Sequence, residues 1–154
     1  SAPEVYGLGS GSVSDQVVEL RDIMPTLLDC AGLPVPESVE GKSFLSNIQG
    51  KDLPLRDYLH GEHTVLGGSM HWLTDGHEKY IWFSQTGREQ LFCLDNDPQE
   101  CHDLCFGTEN SERLAFWRSR LIHELAGREE GFTDGTILIS GRPVNPVLNH
   151  LIHK

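Results

Sequence analysis

The sequence has no apolar run long enough to cross a bilayer, and Ser1-Ala2-Pro3-Glu4 puts no basic stretch ahead of an apolar one, so neither a membrane span nor a signal peptide is expected in it. Cations are scarce. Twelve Lys and Arg face 23 Asp and Glu, a formal charge of -11, and such a surface repels a phosphate backbone and has no surplus cations with which to release its counterions. Nucleic acid is therefore excluded as an expected partner. Cysteine is too sparse for a disulfide-built scaffold: Cys30, Cys93, Cys101 and Cys105 are spread over 154 residues and leave the cellular compartment unassigned. There is no internal repeat, phosphate loop, dinucleotide fingerprint or Ser-His-Asp order.

What is present is enough apolar content, 38%, for one compact domain with a core. Residues 1–16 are rich in Gly, Ser and acidic groups and have little to bury. A helix is expected over 23–31. Asp22 is placed to accept its first-turn amides, Pro25 is tolerated in its first turn, and Gly32 and Pro34 end it. Leu20, Ile23, Leu27 and Leu28 recur at helical spacing, as in a helix packed on a larger body.

Pro34, Pro36 and Pro54 mark a linker over 34–57. Four short β-favouring runs follow, at 58–63, 69–74, 79–83 and 89–94, the last three separated by hairpin turns at Asp75-Gly76 and Thr86-Gly87. Ser111 is the expected cap of a helix whose Leu114, Trp117, Leu121, Ile122 and Leu125 form one apolar stripe, with Gly127 ending it. A bare sheet face needs a cover and this helix supplies one. The fold class is thus α+β, a small four-stranded antiparallel sheet covered by a C-terminal helix and preceded by a separate helix, with an irregular tail over 127–154.

Three groups carry chemical potential. Cys93, Cys101, His102 and Cys105 have the ligand types of a zinc site, but no Cys-x-x-Cys knuckle, and no metal is expected on them. His60, Glu62, His63 and His71 can bind metal, move protons or hold an anion, against the simpler reading of a polar sheet edge. Alternation places His60 and Glu62 on one strand face and His63 on the other. The aromatic row Tyr80, Trp82, Phe83 and Phe92 reads as core, and periodicity does not say whether Trp72 and Trp82 share a face.

The run Val18-Glu19-Leu20-Arg21-Asp22-Ile23-Met24-Pro25-Thr26-Leu27-Leu28-Asp29-Cys30-Ala31-Gly32 resembles the late segment of sulfatases, which reads V-x-L-x-D-I-x-P-T-L-L-D-x-A-G. Lys79-Tyr80-Ile81, Glu89-Gln90-Leu91-Phe92 and Asp97-Pro98-Gln99-Glu100 follow in the order of that family's later motifs, so the likeness covers about residues 13 to 126. Cys93, Asp103 and Cys105 stand where the family has Asp, Asn and Ala, which makes the cysteines scattered replacements at turn and packing positions.

The resemblance implies a sulfuric ester hydrolase of the alkaline-phosphatase-like superfamily. Its N-terminal domain carries a formylglycine, made from Cys or Ser in C/S-x-P-x-R, and carboxylates holding Ca²⁺ or a similar ion, and its hydrated aldehyde attacks sulfur. No C/S-x-P-x-R occurs in this sequence. The expectation is a C-terminal piece, with residues 1–33 as a remnant of the catalytic domain and 58–126 as the subdomain beside the pocket. Such a piece has no catalytic residue, metal ligand or cofactor of its own and partners with the parent N-terminal domain. Glu62, His63 and His71 are its expected contacts to a sulfated small molecule or glycan, and the 23–31 helix is an expected face for homo-oligomer formation. The alternatives are a free-standing α+β binding module and a piece of a related phosphonate or phosphate monoester hydrolase.

Overall fold

The computed structural model describes residues 13–51, 55–65 and 68–144. The chain divides into two compact units, residues 1–59 and 60–154. Within the described residues no helix is long and apolar enough to cross a membrane.

In the first unit a 3-10 turn, Leu20–Asp22, runs into helix α1, Ile23–Cys30, and a short helix α2 spans Leu45–Ile48. Gly32, at a φ of 67°, follows α1 in the left-handed conformation glycine adopts without penalty. Asp22 does not cap α1 as expected. Its carboxylate turns back and across, accepting hydrogen bonds from the amides of Glu19 (2.8 Å) and Lys42 (2.8 Å) and from both terminal nitrogens of Arg56 (2.6 and 2.7 Å). Ion pairing with a fixed guanidinium outweighed a local cap bond, because a carboxylate buried completely requires a full set of donors.

Thr26 extends this knot, its hydroxyl donating to the Asp22 carbonyl (2.6 Å) and accepting from the Phe44 amide (3.1 Å). The buried face of α1 therefore carries Pro25 and Thr26, while Ile23 and Leu27 of the apolar stripe are exposed.

The second unit is built on a four-stranded sheet in the order β1-β2-β3-β4, with β1 at Leu59–Val65, β2 at Gly68–Thr74, β3 at Glu78–Phe83 and β4 at Glu89–Cys93. The β2–β3 turn is tied by the Asp75 carboxylate, which accepts the amides of His77 (2.9 Å) and Glu78 (2.8 Å). Antiparallel register sets His71 opposite Trp82, Leu73 opposite Tyr80 and Tyr80 opposite Leu91, so these residues share one face. All five are buried, and helix α3, Ser111–Leu125, closes over them with Trp117, Leu121 and Leu125.

Trp72, paired with Ile81, lies on the opposite face, separated from Trp82 by that register. Its ring packs across Gly61, where a Cβ would meet the indole at 2.0 Å, so the strand tolerates only glycine there.

Carboxylates tie α3 to the sheet. Glu78 accepts from Trp117 Nε1 (2.6 Å) and Arg113, and Glu89 accepts from two nitrogens of Arg118 (2.7 and 2.7 Å) and the Tyr80 hydroxyl (2.5 Å). Ser111 begins α3 rather than capping it. The preceding Asn110 spends its side chain on the Leu104 carbonyl and on Arg113. Beyond the helix, Phe132 is buried against His71 and Trp82, next to an isolated bridge between Thr133 and Leu138.

Candidate functional site

Strand alternation puts His60 and Glu62 on the β1 face that adjoins β2, where His71 stands. His60 Nε2 lies 3.3 Å from His71 Nδ1, and Glu62 Oε2 lies 3.6 Å from that same nitrogen. The two imidazoles are nearly parallel, 15° apart, with centroids at 5.5 Å. That separation exceeds the nitrogen distance by about the width of one imidazole, so the rings confront each other edge to edge.

On its other side, Nε2 of His71 is 3.0 Å from Ser69 Oγ. Phe132 packs edge-on against the His71 ring at 5.3 Å and Trp82 lies at 5.9 Å. His71 is 1% exposed. Burial, helped by the neighbouring His60, pushes its pKa down to about 4, against a weaker upward pull from Glu62. The ring is consequently neutral near pH 7.

Glu62 is about half exposed and is gripped by Arg128, whose Nη1 donates at 2.7 Å while Nη2 donates to Glu130 at 2.8 Å. The Arg128 hydrogen bond holds both carboxyl groups below their ordinary pKa, and the two carboxylates raise that of Arg128.

His63 is not part of this cluster. It is exposed and lines a groove of about 330 Å³ with Met70, Phe83, Gln85 and Thr86 among others, on the face away from His71. Of the three residues singled out in the sequence, the structure thus brings Glu62 and His71 together with His60 and leaves His63 apart. Sequence reasoning passed over Ser69, Arg128 and Phe132. Arg128 lies 66 positions from Glu62, and no spacing rule links them.

The cysteine group is arranged differently. Cys93 Sγ accepts from Asn96 Nδ2 (3.4 Å), the Cys101 thiol donates to the Gln99 carbonyl (3.7 Å), and burial together with Asp103 pushes the Cys105 thiol up to about 12. Among the described residues, one group of His, Cys, Asp and Glu side chains converges closely enough to hold a metal ion: His60, Glu62 and His71.

Residues 6–126 match the family described as N-sulphoglucosamine sulphohydrolase, C-terminal. The chain belongs to that family. Over 141 residues it is 48% identical to an arylsulfatase of Clostridium perfringens (strain 13 / Type A), covering 92% of this chain and 29% of that protein. An ulvan-active sulfatase of Formosa agariphila is 30% identical over 128 residues, covering 61% of this chain and 26% of that protein. The chain therefore spans under a third of the length of these relatives.

Among solved structures, a 2-O GAG sulfatase superposes with a TM-score of 0.63 at 24% identity, covering 72% of this chain and 25% of that one. A phosphonate monoester hydrolase from Silicibacter pomeroyi gives 0.65 at 20% identity, covering 77% and 27%. These two likenesses establish the fold. This is a sulfatase C-terminal domain, α+β as the strand and helix patterns indicate.

Proposed function

We propose that this domain serves a sulfuric ester hydrolase by forming part of its substrate-pocket wall, while the nucleophile and the catalytic metal lie in the parent's N-terminal domain. The observation that carries the reading is the bare apolar stripe of the first unit. Leu20 is 84% exposed, Ile23 47% and Leu27 63%, on the segment that matches the sulfatase motif most closely. A self-sufficient binding module would cover such a stripe.

The parent's Ca²⁺ and formylglycine do not fit the residues present. No C/S-x-P-x-R occurs, and Asp22, Glu78, Glu89 and Glu100 are spent on Arg56, Arg113, Arg118 and Lys79 instead of forming an oxygen cage.

Within the wall, Glu62 and His63 are exposed and meet the sulfated substrate directly, one on each face of β1. An imidazole donates to a sulfate or sugar hydroxyl, and a carboxylate accepts from a hydroxyl. His71, buried behind Glu62, is a positioning residue. In the full-length enzyme, His63→Ala lowers kcat/KM on the natural sulfated substrate about tenfold, or about 1.4 kcal/mol of transition-state binding, and lowers it less on a minimal aryl sulfate. Unchanged kinetics on the natural substrate remove His63 from the wall. A phosphonate monoester hydrolase is the second reading, favoured by the fold likeness to such an enzyme. Faster turnover of a phenylphosphonate monoester than of the matching sulfate would select it.

A further inference from the structure

We propose that His60, Glu62 and His71 form a three-ligand site for a zinc-like divalent ion, with its fourth position open toward solvent beside Glu62. The candidate ligand atoms, one from each residue, all lie within 4.8 Å of one another, with 3.3 Å between the imidazole nitrogens and 3.6 Å from His71 Nδ1 to Glu62 Oε2. Zinc bonds of about 2.0–2.1 Å arranged tetrahedrally space their ligands by roughly 3.3 Å, close to the 3.3 and 3.6 Å of the two pairs that share His71 Nδ1. At 3.6 Å the Glu62 carboxylate is too far from His71 Nδ1 for a good hydrogen bond, a separation within reach of two atoms bound to one ion.

The supporting contacts are those a metal site needs. Ser69 Oγ, 3.0 Å from His71 Nε2, can accept a hydrogen bond from Nε2–H and so leave the Nδ1 lone pair to bind the ion. Phe132 and Trp82 wall the ring in, so it has one orientation. A carboxylate has about four lone-pair positions, so Arg128 and an ion can share Glu62, with the guanidinium orienting it. Glu130 binds the same guanidinium, and two carboxylates against one cation leave a net negative charge to attract a dication. Two imidazoles with one carboxylate suit zinc and its transition-metal neighbours, whereas Ca²⁺ and Mg²⁺ prefer oxygen alone.

This site shares Glu62 and His71 with the substrate-wall reading, but its test uses no sulfate ester, so the two can fail separately. The full chain is titrated with Zn²⁺ against a chromophoric chelator, then with Co²⁺, whose visible absorption reports tetrahedral coordination. The expected result is one equivalent bound with a Kd at or below about 1 µM. It weakens at least tenfold in both Glu62→Gln and His60→Gln, and near-ultraviolet circular dichroism shows that the sheet is retained. His60 and Glu62 are not core residues, so both variants fold. Failure of Zn²⁺ to bind, equal binding in both variants, or loss of binding on Cys93→Ser or Cys101→Ser instead would each overturn the assignment.

Discussion

The first unit buries Asp22 completely and leaves Leu20, Ile23 and Leu27 in solvent, whereas the second buries Trp82, Trp117, Leu121 and Leu125 and holds Glu62, Glu78 and Glu89 in ion pairs nearer the surface. The contrast separates two ways of specifying a structure. A polar knot is directional and holds only when every partner is present, because a carboxylate stripped of its guanidinium becomes an uncompensated buried charge. An apolar core distributes its stabilisation over many contacts and loses it in proportion to the volume removed. The first arrangement is the one expected of a segment whose apolar face belongs against another surface.

The sharpest way to break this comparison is to remove one centre from each unit. Arg56→Ala leaves Asp22 buried and unpaired and costs about 3–5 kcal/mol, read as lost hydrogen-exchange protection at the amides of Glu19 and Lys42, which donate to Asp22. Leu121→Ala costs about 2–5 kcal/mol, read at the amides of β2 to β4. If Arg56→Ala costs less than 1 kcal/mol, the knot is ornamental and the comparison fails.

Acid separates the units next. Burial alone would raise the Asp22 pKa, but Arg56 and the two amides outweigh it and bring it to about 2. A carboxylate depressed on folding stabilises above its unfolded pKa near 3.8, and that contribution drains away as pH falls toward 2. His71 titrates higher. Its folded value of about 4 lies below the ordinary 6.5, so the unfolded chain binds the extra proton first. Stability is therefore full above pH 6.5 and declines between 6.5 and 4, by on the order of 3 kcal/mol. Urea midpoints measured across that window should fall for the native chain and stay flat for His71→Asn.

The smallest effect is expected on the bare stripe. Leu27→Glu changes unfolding stability by less than about 0.5 kcal/mol because the side chain is already largely exposed. The same change abolishes self-association in light scattering if α1 is the face through which copies of the chain meet. A monomeric chain, indifferent to the substitution, removes that face as a homo-oligomer contact.

Legibility in the sequence followed the same division. The strands and α3 were readable because period-two and period-3.6 patterns follow directly from burying one face, and Asp75-Gly76 and Thr86-Gly87 announced their turns. Asp22 was recognisable as an important carboxylate but was given the wrong partners. A cap is local and visible in sequence, whereas Arg56 is 34 positions away. The same holds at the candidate site. His60, Glu62 and His71 drew notice as a cluster of ligating types, but their convergence depends on β1 lying beside β2, and the roles of Ser69, Arg128 and Phe132 depend on packing that no periodicity encodes.

Division of labour between this domain and the rest of its enzyme is tested most directly by assaying the purified chain on a chromogenic aryl sulfate with Ca²⁺ present, once circular dichroism has shown its sheet to be formed. No turnover above the uncatalysed rate is predicted, because no nucleophile motif occurs in the sequence and Asp22, Glu78 and Glu89 are committed to Arg56, Arg113 and Arg118. Steady turnover that co-purifies with the chain and vanishes on substituting one of its own residues would contradict the account.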